Sequence, residues 1–144
     1  MSDVPSLPSG VASAIAYCRA VLAGSINACR LVCLACARFL DDLAAAEAGN
    51  GPWAFRPDLA ERAMIFAGLM PNIKGPEAGH PLRLVPWQRL VFASLFGFIE
   101  RETNARRFRQ AVIFVPRGNG KTSLAAPLAL SWTARAGPRA MPPR

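Results

Sequence analysis

No aspartate or glutamate follows Glu102 in this 144-residue chain. That absence excludes any carboxylate chemistry from residues 103–144. A single histidine, His80, excludes a histidine ligand cluster and a histidine-based catalytic triad. No apolar run reaches the roughly 20 residues that a membrane span needs, because the most apolar stretch, 11–37, is cut by Arg19 and Arg30. A signal peptide is not expected either. The opening MSDVPSLPSG carries an acid and two prolines, with no basic cluster before an apolar run. These absences predict a cytoplasmic protein that makes no use of a membrane, with its four cysteines held as reduced thiols.

The charge that is present is unevenly placed. The chain carries 17 basic and 9 acidic residues, a net charge of +8. Residues 1–102 hold nine of each, and the eight basic residues of 103–144 therefore supply the whole excess. Such a surplus suits a nucleic-acid partner, since neutralising phosphates drives sequence-independent binding. An arginine-rich surface accounts for it equally well.

Hydrophobic spacing predicts mainly helices. Residues 11–48 read as a helical hairpin, with Ile15, Cys18 and Leu22 on the first helix and a break at Gly24-Ser25. A seam at Ile26, Cys29, Cys33, Cys36, Leu40 and Leu43 marks the second. The cysteines fall on that seam and so read as core residues rather than metal ligands. Asp41-Asp42 reads as its solvent face. A third helix is expected over 57–70, with Pro57 at its first position and Asp58 and Glu61 favoured by the positive N-terminal end. Pro86 opens a fourth, with a largely apolar stripe of Trp87, Leu90, Val91, Ser94, Leu95 and Phe98. The unbroken apolar run 111–115 then reads as a buried central strand.

That run leads into Pro116-Arg117-Gly118-Asn119-Gly120-Lys121-Thr122 and a further helical stretch. Strand, glycine-rich loop and helix are the context in which backbone N–H groups cradle phosphate at the positive end of a helix. In that setting Lys121 reaches the β- and γ-phosphates and the Thr122 hydroxyl ligates Mg²⁺. The loop departs from the general G-x-x-x-x-G-K-[ST] pattern, because Val115 stands at the first glycine position. A ligand-free basic turn is the alternative reading of the same residues.

Together, Pro86-Trp87-Gln88, the basic turn and PRGNGKT resemble the start of the ATPase domain of tailed-phage terminase large subunits, the motors that package viral DNA into procapsids. The upstream stretches YCRAVLAG, ACRLVCLACARFLDDL and AERAMIFAGLMPNIKG are similar to that family's helical N-terminal region. The resemblance runs over about residues 15–134. It implies an α/β fold of the P-loop NTPase type: a helical region 1–80, the start of the ATPase domain over 81–134, and a Pro-rich irregular tail at 135–144. It implies ATP and Mg²⁺ as cofactors, with Thr122 toward the metal and Gly118, Asn119, Gly120 and Lys121 toward phosphate. Arg117 resembles the loop arginine that senses the γ-phosphate, and Gln88 the upstream glutamine that reads adenine. Implied partners are double-stranded viral DNA, the small subunit and the portal, in the cytoplasm of a bacterial host.

The pattern is incomplete. A working site also needs a carboxylate for Mg²⁺ and usually a glutamate for the attacking water, and both follow the loop in this family. The expectation is therefore a truncated, prophage-derived fragment without ATPase activity of its own. Two other readings stay open: a non-enzymatic module that binds packaging partners or DNA through its helices, and a cut-short helicase-like ATPase. Arg106, Arg107 and Arg109 read either as DNA-phosphate contacts or as a solvated turn.

Overall fold

A computed structural model describes residues 8–72 and 78–133. Its elements are α1 (Ser9–Leu22), α2 (Arg30–Glu47), β1 (Trp53–Phe55), α3 (Pro57–Gly68), α4 (Pro86–Gly97), β2 (Phe98–Glu100) and α5 (Lys121–Thr133). The molecule is a mixed helical and strand structure, compatible with the α/β class. The expected tail at 135–144 lies outside the described residues.

α1, α3 and α4 pack together around Val11, Ala14, Ala60, Ala67, Phe92 and Ala93, and α2 closes over α1 and β1. Small residues on α1 and α3 let the helix axes approach closely, while the phenylalanines of α4 fill the space between. Prolines set two helix starts, since Pro57 and Pro86 occupy first-turn positions where the missing N–H costs nothing. On α2, Cys36, Phe39 and Leu43 are buried. Ile26 and Cys29 of the expected seam are exposed, because the helix begins only at Arg30. Cys18 and Cys36 are free thiols buried between α1 and α2, and among the described residues no cluster of metal-ligating side chains forms. Burial pushes both thiols up from the ordinary cysteine range.

β1 and β2 form an antiparallel pair, with Ala54 opposite Ile99 and Phe55 opposite Phe98. The chain passes from α4 into β2 without a loop, so Phe98 is a strand residue and not the end of the α4 stripe. Gly97 makes this junction possible: a Cβ there would overlap the Phe55 ring. Phe39, Phe55, Phe98 and Phe108 then meet in edge-on and tilted contacts, with ring centroids 4.9–6.1 Å apart.

Two carboxylates act differently from their sequence reading. Glu61 does not serve the N-terminus of its own helix. Its Oε1 accepts a hydrogen bond from the Gly10 N–H at 3.3 Å, capping α1, which has no side-chain cap of its own. Asp42 is not a purely solvent-facing residue, because it pairs with Arg107 at 2.9 Å.

Candidate phosphate-binding site

The approach to the site differs most from expectation. Residues 111–115 are not a buried strand. They form no ladder with any described residue, and Val112 and Phe114 are 94% and 98% exposed. Only Ile113, half-buried, packs against the core. The physical reason is the lack of neighbours: an apolar run becomes a central strand only where strands on both sides take up its N–H and C=O groups. The alternation of side chains persists, with Ile113 inward and its neighbours outward.

The chain then turns through Pro116–Gly120 into α5. Gly118 and Gly120 sit at φ +87° and +70°, a left-handed conformation that glycine adopts without strain. The Leu124 N–H bonds the Gly120 carbonyl at 3.0 Å, which closes the first turn of α5. Asn119 Nδ2 donates to the Pro116 carbonyl at 3.4 Å and braces the turn from within. Lys121 Nζ folds back and donates to the Val115 carbonyl at 2.6 Å. The ammonium therefore rests over the turn while the residue stays exposed. Arg117 and Thr122 are exposed beside it.

Gln88 reaches the same place from α4. It is only 5% exposed, so it does not lie on the solvent side of its helix. Its Oε1 accepts the Val85 N–H at 3.1 Å, capping α4. Its Nε2 stands 3.3 Å from where a Cβ on Gly120 would lie. Gln88 and the glycine turn are thus neighbours, with the carboxamide beside Gly120. Donating and accepting together along one adenine edge would require Oε1 to leave Val85.

The arginines before the loop are mostly committed internally, contrary to both sequence readings. Arg106 Nη2 donates to the Trp132 carbonyl at 3.0 Å, with its guanidinium 5.0 Å from the Phe96 ring and 4.6 Å from the Trp132 ring. It pins the end of α5 to α4. Arg107 pairs with Asp42 and lies over Phe98, Phe108 and Trp53. Arg109 is exposed. With Lys121 it rims a cavity of about 440 Å³ between the 109–113 segment and α5, floored by Leu95, Ile113, Leu128 and Trp132. Spacing alone gave no signal for the roles of Arg106 and Arg107. Their proximity to aromatic residues in the fold decides them.

The geometry defines a glycine turn at the head of a 13-residue helix, with a lysine and a threonine at its first two positions. The family comparison agrees with this class. Residues 86–135 match the model of the terminase large subunit, ATPase domain, from the first residue of α4 to just beyond α5. The resemblance carried by Pro86-Trp87-Gln88 and PRGNGKT is therefore borne out over this segment, which is similar to the terminase ATPase domain. No curated protein and no solved structure matches the chain.

Proposed function

We propose that residues 86–133 hold the triphosphate of ATP, as the nucleotide-binding part of a motor that drives viral DNA into procapsids. The observation that carries this reading is the left-handed Gly118 and Gly120 pair at the head of α5, within the family match. Glycine at 118 leaves open space where a side chain would otherwise crowd a phosphate: nothing lies within 4 Å of a Cβ position there.

The chain's own groups have separable tasks. Backbone N–H groups of 118–122 point toward an anion at the positive end of α5. Lys121 exchanges the Val115 carbonyl for phosphate oxygens, a short swing for a side chain already folded over the turn. Arg117 adds a second cation at the γ-phosphate. Gln88 holds the loop against α4 and presents Nε2 toward the base side. Mg²⁺, when bound with the nucleotide, neutralises charge on the β- and γ-phosphates, and Thr122 is the residue here that would ligate it.

The residues fit the phosphates better than they fit a full metal site. No acid follows Glu102, so residues 103–144 supply neither a carboxylate to complete Mg²⁺ binding nor an acid to orient water. The exposed 111–115 segment supports the same view, since it is shaped for strands that none of the described residues provides. DNA, a small subunit and a portal are the partners that the likeness to this family would bring.

A thermal-shift measurement with Mg·ATP tests the reading. Ligand binding to the folded state raises the melting temperature by mass action, so wild-type protein should melt higher with Mg·ATP than with Mg²⁺ alone. Lys121→Ala should lose that increment while melting normally without nucleotide. An equal increment in the variant would overturn the assignment, as would none in the wild type. Turnover by this chain alone is expected to be absent.

A further inference from the structure

Helix α5 does little to hold itself in place. Lys121 is its only charged residue and stands at the head, where the helix end is already positive. That placement is unfavourable until an anion arrives. No basic residue occupies the last turn, and Pro127 removes one bond from the ladder between head and foot. The support comes from outside. Arg106 donates to the Trp132 carbonyl, one of the orphan acceptors at the foot of α5, and its guanidinium lies against the Phe96 and Trp132 rings. Those two rings also meet edge-on, with centroids 6.2 Å apart. The backbone of Arg106 is held in turn by β2, where it bridges Ile99. On either side of it, the Glu100 N–H donates to the Ala105 carbonyl at 2.8 Å and the Arg107 N–H to the Phe98 carbonyl at 3.1 Å.

We propose that Arg106 is a positioning residue for the triphosphate site. By clamping the foot of α5 to β2 and α4, it keeps the helix formed and the N–H groups at its head aimed before nucleotide binds. The inference rests on the phosphate reading of the glycine turn and adds a cause at the other end of the helix. Trp132 lies about 17 Å beyond Lys121 at a rise of roughly 1.5 Å per residue, too far for Arg106 to touch the phosphates itself. A helix already ordered presents its N–H groups at no further cost, whereas a frayed one must be ordered by the ligand. The clamp suits this task because it sets a cation at the negative end of α5, which no residue of α5 itself does.

Isothermal titration calorimetry of the full chain with Mg·ATP tests this, alongside far-ultraviolet circular dichroism of the same samples. At a temperature where both are folded, Arg106→Met should bind at least tenfold more weakly than wild type. Its binding should bring a gain in helical signal that the wild type does not show. A merely structural role would lower the melting temperature and leave both readouts unchanged. Arg109→Met removes the same charge from an exposed position nearer the loop and should change the affinity less than threefold. Trp132→Leu takes one ring from the clamp without altering charge. It should weaken binding at least threefold, with the same helical gain, and it decides the question if Arg106→Met does not fold. No binding by the wild type would overturn the phosphate reading and this inference with it. Wild-type binding that persists unchanged in the deciding variant would overturn this inference alone. So would an equal loss in Arg109→Met, or weaker binding without the helical gain.

Discussion

Gln88 and Gly120 meet across the loop. The carboxamide that caps α4 through Oε1 brings Nε2 to within 3.3 Å of the space a Gly120 side chain would fill. One buried side chain thereby sets both the start of α4 and the height of the glycine turn.

Gly120→Ala should cost more than Gly118→Ala. Both glycines hold left-handed φ angles, for which a Cβ costs on the order of 1–2 kcal/mol. Only the Gly120 substitution also crowds a neighbour, since open space surrounds Gly118. Urea denaturation of the two variants should rank them in that order, and adding Gln88→Ala should recover part of the Gly120→Ala loss. Equal costs would show that Gln88 does not press on the turn.

Gly97→Ala should destabilise the protein by about 1–3 kcal/mol, the usual cost of overpacking a core. Alanine is the better helix former by about 1 kcal/mol, but here its methyl group meets the Phe55 ring. Combining it with Phe55→Leu should give a favourable coupling energy in a double-mutant cycle. Additive losses would place the strain elsewhere.

Arg107→Met should cost about 1–3 kcal/mol, because it strips a charge-assisted hydrogen bond from Asp42 in a partly covered setting. The two side chains are 24% and 17% exposed, so water screens the pair less than it would at an open surface. Arg107→Met/Asp42→Asn should cost less than the sum of the two single changes. A coupling energy near zero in chemical denaturation would reduce the pair to a contact without consequence.

The Arg56–Asp58 pair should behave differently, since both side chains are about half exposed. Hydrogen bonds from Arg56 hold the Asp58 carboxyl below its ordinary value. A lowered folded-state value means that the stabilisation is fully present above about pH 4, the unfolded aspartate value, and fades as the pH falls through the folded one. Asp58→Asn should therefore lose a little stability at pH 7, less than Arg107→Met does. Its melting curve should converge on that of the wild type as the medium is acidified. A gap that widens toward low pH would contradict the assignment.

The helices were legible because their cause is local. Pro57 and Pro86 mark starts, and steps of three and four residues mark the faces. The glycine turn was legible for the same reason, as its residues are contiguous. The β1–β2 ladder was not: three-residue strands have no period to read, and Ala54 meets Ile99 only because α3 and α4 fold between them. Gln88, Glu61, Arg106 and Arg107 share that difficulty. Each is a polar side chain whose partner lies in another element, so its burial follows from packing rather than spacing. Residues 111–115 show the converse error. Their composition describes the environment a strand would prefer, and the described residues do not supply it.

That segment has a practical consequence for the protein as a material. Val112 and Phe114 project into water from a backbone with no ladder partner among the described residues, a combination that recruits other strand edges without regard to identity. Solubility should thus be limited by five residues rather than by the +8 charge, and precipitation should set in with rising concentration well before the helices melt.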